Sequence, residues 1–315
     1  MIFRGYVKVV NKDTTAPVIF FNRYSGEIES ESIYGGKWLR WAYDRPLGRF
    51  VLGAVIKRKC FSCLYGRWAD TRMSRKEIKP FIEKFKVDPN EFLDEPDSYR
   101  SFNEFFYRKL KASARPVCQG QHTVAFPADG RHLVIENLGR DSWIFAKGRR
   151  LNLDQLLGNS DLAGKYHGGT AIVSRLCPSD YHRFHFPLAG VSDEGRLIQG
   201  SLYSVNPIAL SRNLAWLWEN KRQVTTVSQS PVGDYLFLEI GATNVGSIVG
   251  THPGNQRAEK GDEKGYFRFG GSMVILIFQA GRIRPAEDLL TNSRSERETY
   301  ARMGDRAGEV MTPVP

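Results

Sequence analysis

Cysteine is scarce: only Cys60, Cys63, Cys118 and Cys177 occur in 315 residues, too few and too scattered for a disulfide framework. Cys60 and Cys63 form a lone CxxC without a second ligand pair, so small packing residues on a helix face are the simpler reading than zinc or redox chemistry. No apolar run approaches the roughly 20 residues that span a bilayer. The N-terminal MIFRGYVKVVNKD has no extended apolar region before a small-residue cleavage site, so it does not read as a secretory signal. These absences lead to the expectation of a cytoplasmic protein, on a membrane surface at most. A recognisable nucleic-acid-binding motif is also missing, as is any internal repeat.

Positive charge, by contrast, is in excess and unevenly placed. The net charge is +11, with 41% hydrophobic residues, enough for one large or two ordinary domains with a real core. Lys37 to Arg115 holds 19 Lys and Arg against 10 Asp and Glu, so most of the surplus lies in this N-proximal stretch. From Gly36 to Lys86, Trp38, Leu39, Trp41 and Ala42, and then Phe50, Val51, Val55, Ile56, Phe61 and Leu64, fit helical faces flanked by Arg49, Lys57, Arg58 and Lys59. Ser74 opens a capping-box-like SRKE before Ile78, Phe81, Ile82 and Phe85. Basic amphipathic helices of this kind lie in membrane interfaces, or simply pack on their own core with the charges solvated.

The remainder reads as strands. Residues Met1 to Glu31 suggest one or two peripheral strands with a turn at Tyr24 to Gly26. Asp88 to Tyr99 is a connector, and Phe102, Phe105 and Phe106 are spaced for one face of a short helix. After Pro116, HLVIEN, TAIVSRL, RLIQGSLYSV, DYLFLEIGA and MVILIF are short apolar or alternating runs without βαβ regularity, interrupted by helix at Leu151 to Leu157 and Asn206 to Trp218. The expected class is α+β: a β-dominated catalytic domain with an N-terminal group of amphipathic helices. The expected division is 1–98 (peripheral strands and basic, membrane-facing helices), 99–290 (β-rich catalytic domain) and 291–315 (a polar tail, peripheral or loose).

Chemistry is suggested where titratable groups sit on tight turns. In KGDEKGYFRFGGSMVILIF, Lys260 to Phe278, two glycines precede Ser272 at the mouth of a buried strand. Glycine permits φ > 0 there and leaves the Gly271 carbonyl open to attack by the serine hydroxyl, although such a triplet is also an ordinary bulge or turn. FPADG, Phe126 to Gly130, places Asp129 in a turn where an aspartate commonly caps its own backbone. RLCPSDYHRFHFPLAG, Arg175 to Gly190, holds His182 and His185, on opposite faces if extended and on one face if helical. No Cys or carboxylate completes an obvious metal site with them, and none is expected.

Taken in order, SFNEFFYRKLKASARPV, FPADG, RLCPSDYHRFHFPLAG, GSLYSVNPIAL, GATNVGSI and KGDEKGYFRFGGSMVILIF resemble the motif series of the phosphatidylserine decarboxylases, over about Tyr99 to Phe278. The resemblance implies a proenzyme that cuts itself between Gly271 and Ser272 into a β chain (1–271) and an α chain (272–315), Ser272 becoming a pyruvoyl group, the only cofactor. It implies that Asp129, His185 and Ser272 form the self-processing triad and that His182 acts in decarboxylation. Phosphatidylserine and an anionic membrane are the implied partners, at the cytoplasmic face of the cell membrane; a homodimer is compatible with the sequence and nucleic acid is not expected. Met273 departs from the family's usual Thr or Ser, which removes a hydroxyl beside the scissile bond and leaves the rate of self-cleavage open. The competing readings are a pyruvoyl-dependent decarboxylase of a soluble amino acid and a non-catalytic lipid-binding homologue.

Overall fold

The computed structural model describes residues 18–31, 66–139, 152–201, 219–241, 248–270 and 272–311. In chain order the strands are β1 (Ile19–Asn22), β2 (Glu27–Ser30), β3 (Thr123–Ala125), β4 (Gly130–Ile135), β5 (Thr170–Leu176), β6 (Arg183–His185), β7 (Gly190–Ser192) and β8 (Arg196–Ile198). They continue as β9 (Arg222–Ser230), β10 (Gly233–Gly241), β11 (Ile248–Gly250), β12 (Gln256–Ala258), β13 (Glu263–Phe267), β14 (Ser272–Phe278), β15 (Ile283–Pro285), β16 (Glu298–Ala301) and β17 (Arg306–Val310). The main sheet runs β12-β7-β9-β10-β14-β5-β4-β16-β1-β2, with β8 on β9; β11-β13-β6 and β15-β17-β3 form two smaller sheets. The strand-dominated α+β class read from the sequence is the one observed.

The run SMVILIF is apolar throughout because β14 lies inside the sheet, antiparallel to β10 and β5, and covered on both faces. Side-chain alternation divides it. Val274, Leu276 and Phe278 join a core with Tyr235, Phe237, Ile172 and Leu176, closed by Phe184 and Phe267 of the β11-β13-β6 sheet and by Leu289 and Leu290 of the helix Glu287–Arg294. Met273, Ile275 and Ile277 join a second core with Leu236, Leu238 and Ile240, closed by Leu153, Leu156 and Leu157 of the helix Leu153–Leu157. Ser272 shares the face of Val274.

A third core gathers Ile78, Phe81, Phe92, Tyr99, Phe102, Phe105, Phe106 and Phe269. The helix Phe102–Phe106 forms as its spacing predicts, capped by the Ser101 hydroxyl accepting from the Glu104 N–H. The helix Ile78–Phe85 turns its apolar face inward, with the Phe81 ring 5.3 Å from Phe102 and 5.7 Å from Phe105. Its apolar stripe is therefore spent on the chain's own packing. Ser74 is not its cap: it is buried inside the preceding 3-10 turn, where its hydroxyl donates to backbone carbonyls and accepts from the Phe102 N–H. The helices expected over 36–65 and 206–218, with Cys60 and Cys63, lie outside the described residues.

The polar stretch after Leu290 is not loose as far as Met311. Glu298–Ala301 lies between β4 and β1, and Arg306–Val310 between β15 and β3. Its polarity misleads because Glu298 is turned inward, Oε2 2.6 Å from Nη2 of the buried Arg175. The same guanidinium holds Glu31 at 2.6 Å, immediately after the hairpin β1–β2 that the sequence places around Tyr24 to Gly26. Burial alone would raise the Glu31 carboxyl; Arg175 and Arg131 outweigh it and bring it from 4.5 to about 2. A carboxyl depressed on folding stabilises above its unfolded pKa and ceases to do so as pH falls through its folded one. Stability is therefore expected to drop between about pH 4.5 and pH 2, and Glu31→Gln is expected to be less stable at pH 7 and to flatten that drop, read from urea midpoints across the range.

Candidate active site

Gly270 has φ +144°, a conformation that side chains disfavour, so the chain turns into β14 through a glycine as its sequence requires. Ser272 is the first residue of that strand, in register with Gly241 on β10 and Leu176 on β5. Both neighbours fix its backbone, and Gly241 puts no side chain beside it. The Ser272 Oγ is fully buried and, among the described residues, has no hydrogen-bond partner. A hydroxyl left in that state is costly by about 1–3 kcal/mol. It is also free to react. On the same face, opposite Val274, Glu239 is buried against Lys264, and burial raises its carboxyl.

His182 immediately precedes the extended segment β6 and His185 ends it, so the extended alternative holds, with the imidazoles on opposite faces. His182 Nδ1 lies 2.9 Å from the Asp180 carbonyl, to which it donates; Nε2 is then a lone pair, buried and unpartnered. Burial lowers its pKa to about 3, so the ring is neutral, and it packs on Phe106 at 3.8 Å between centroids. Phe106 in turn meets Phe269, three residues before Ser272. His185 Nδ1 donates to the Gly261 carbonyl at 2.9 Å, which leaves Nε2 to accept from the Tyr181 hydroxyl at 3.3 Å. Burial lowers this imidazole too, against the opposing pull of Glu263 and Asp129.

Asp129 follows β3 in the PADG turn, which is tied to β6 by the His185 N–H donating to the Pro127 carbonyl at 2.7 Å. The glycine of that turn is a packing requirement: a Cβ on Gly130 would stand 2.5 Å from the Arg175 carbonyl oxygen. Asp129 does not simply cap its own backbone, nor does it bond His185. Its two oxygens accept from Arg115 Nε and Nη2 at 2.6–3.0 Å, and Oδ1 also accepts from the Met303 N–H at 2.8 Å. Arg115, which sequence reasoning passed over, reaches on to Glu91 at 3.0 Å. Asp129 and His185 thus stand on adjacent segments, and neither they nor Ser272 are hydrogen-bonded to one another.

A model of the phosphatidylserine decarboxylase family matches residues 102–309. A phosphatidylserine decarboxylase proenzyme of Clostridium novyi is 42% identical over 91% of this chain and 98% of its own length. Those of Clostridium kluyveri and Ruminiclostridium cellulolyticum are each 41% identical over 92% of this chain and 98% and 97% of theirs. The chain belongs to the phosphatidylserine decarboxylase family. Against that family's pattern, the departure at Met273 has a structural consequence: its side chain lies in the second core, across the sheet from the face of Ser272. The hydroxyl missing there is one that would point away from Ser272.

The pair Arg115–Asp129 is almost sealed from water. Arg115→Ala strands a buried carboxylate and is expected to cost about 3–5 kcal/mol, measured as a fall in denaturant midpoint, with Arg115→Lys intermediate because it keeps the charge without the fork.

Proposed function

We propose that Ser272, freed by its lack of any partner, attacks the carbonyl of Gly271 with His185 as base and Asp129 as the charge behind it. The chain is a phosphatidylserine decarboxylase proenzyme, a carboxy-lyase that converts phosphatidylserine to phosphatidylethanolamine and carbon dioxide after cutting itself. In the cut, the Ser272 Oγ–carbonyl bond forms as the Gly271–Ser272 C–N bond breaks, giving an ester. Elimination of that ester takes the Ser272 α-proton, and hydrolysis releases the nitrogen as ammonia and leaves a ketone. A neutral imidazole accepts the hydroxyl proton near neutrality. His185 is such a base once Tyr181 yields Nε2. A carboxylate nearby stabilises the imidazolium that results.

The buried, unpartnered Ser272 Oγ on a strand pinned from both sides is the observation that supports this reading. A pyruvoyl group formed at that position fits the surroundings, dry and rigidly held beside Gly241. When formed, it supplies the electron sink for the pair left as carbon dioxide departs. His182 handles the proton: Nε2 takes one from the substrate's ammonium and returns it to the α-carbon. A second assignment exchanges the histidines, because it is His182 Nε2 that stands without a partner. The membrane partner is an anionic bilayer met peripherally, at its cytoplasmic face. Arg72, Arg75, Lys76 and Lys79 around the exposed Met73 support this, and among the described residues no helix is long and apolar enough to cross.

On a denaturing gel the wild type is expected as two pieces, 1–271 and 272–315, and Ser272→Ala as one intact chain. His185→Ala is expected to stay intact and His182→Ala to be cut yet inactive; the reverse pattern assigns the base to His182. Because His185 is lowered from 6.5, self-cleavage is expected to keep its rate as pH falls through 6.5 and to decline only further into acid, which a pulse-chase across pH reads. Reversing charge at Arg49, Lys57, Arg58 and Lys59 is expected to weaken binding to anionic vesicles by about 1 kcal/mol per residue while the two pieces still form. Unchanged sedimentation with vesicles would remove the membrane assignment.

A further inference from the structure

Arg108 is the one buried charged group of the SFNEFFYRKL motif, 4% exposed, and the chemistry above does not use it. Among the described residues, three of its five N–H donors, on Nε and Nη1, have no partner, and Nη2 has only a 3.4 Å contact to the Ser179 carbonyl. Among the described residues no carboxylate is paired with it. Its guanidinium lies instead on two rings, 4.9 Å from the centroids of Phe92 and Phe105. Those faces offset part of the burial of a cation and leave its edge, where the N–H groups project, unused. Burial lowers the pKa only to about 10, so the charge persists at neutral pH.

The position of this cation relates it to the reacting groups. Ser179 opens the segment that carries His182, and the Arg108 charge bears on the His182 imidazole. Phe105, beneath the guanidinium, and Phe106, against the His182 ring, are consecutive residues of one helix. Arg108 and His182 are thus neighbours on one wall, and Phe106 continues that wall to Phe269.

We propose that Arg108 binds the phosphodiester of the lipid headgroup, which rests on the substrate assignment above. Phosphatidylserine offers two anions. A guanidinium on the carboxylate would stabilise a charge that disappears as carbon dioxide leaves, which favours the ground state over the transition state. The phosphodiester keeps its charge from substrate to product, and guanidinium matches it with two parallel hydrogen bonds. Arg108 therefore holds the group that does not react, and positions the α-carbon towards His182.

The test titrates cleaved wild type, Arg108→Met and Arg108→Lys calorimetrically with glycerophosphoethanolamine, which has the phosphodiester and no carboxylate, and with serine, which has the reverse. Arg108→Met is expected to bind glycerophosphoethanolamine about 10- to 100-fold more weakly, as loss of a charge-assisted hydrogen bond implies, with serine within about twofold of wild type. KM for phosphatidylserine in mixed micelles is expected to rise by a like factor, with kcat less affected. Binding of glycerophosphoethanolamine within about twofold of wild type, or a loss that falls on serine instead, overturns the proposal. Should Arg108→Met fail to fold, Arg108→Lys decides, since several-fold weaker glycerophosphoethanolamine binding supports the assignment and unchanged binding refutes it. Wild-type protein that stays uncut and releases no carbon dioxide from phosphatidylserine refutes the function itself, before Arg108 is altered.

Discussion

A hydroxyl sealed from water without a partner is the constraint on which this structure depends. Ser272 is kept in that state by its surroundings. Its backbone belongs to β14, held between β10 and β5, and the sheet is packed on both faces by separate cores. A looser strand would let the hydroxyl reach water or a carbonyl and relax. Gly270, at φ +144°, supplies just before the strand the backbone freedom that the strand itself lacks. Burial lowers both histidines, with the Arg108 charge adding to it at His182, so the same dryness that leaves the hydroxyl unsatisfied also favours free lone pairs on the imidazoles.

The strand arrangement also decides what becomes of the pieces. The segment that follows the proposed cut at Gly271–Ser272 supplies β14 at the middle of the main sheet, β16 between β4 and β1, and β15 and β17 with β3. It carries Glu298, which Arg175 of the other piece grips, and Asp288, whose carboxylate receives two hydrogen bonds from Arg23. A break at that bond would change the chain's covalent continuity while these ladders and ion pairs still join the two pieces. The ladders on either side of β14 continue to hold the new terminus in place.

Much of this was legible in the sequence because the signals are local. Continuous apolar runs marked β5, β10 and β14, three phenylalanines marked the short helix, and paired glycines marked the turn before Ser272. What could not be read depends on partners distant along the chain. Glu298, Arg306 and their neighbours look like a solvated tail until Arg175 and β3 are brought beside them. Arg115 is one basic residue among many until Asp129 lies under it, Ser74 looks like a helix cap until Phe102 approaches, and Glu239 and Lys264 give no local sign that they meet inside the protein. The consequence of Met273 needed only the alternation of a strand, but which face of that strand holds the reacting group is a tertiary fact.

The hairpin at the beginning of the described chain lies beyond β16, and β1 runs parallel to it. The hairpin β1–β2 consequently waits for nearly the last described strand before it joins the main sheet, and Glu31 and Glu298 converge on one arginine only when both β2 and β16 are present. Translation order thus acts as a timer. The two ends of the described chain meet in one sheet only after the segment that follows Ser272 has been made.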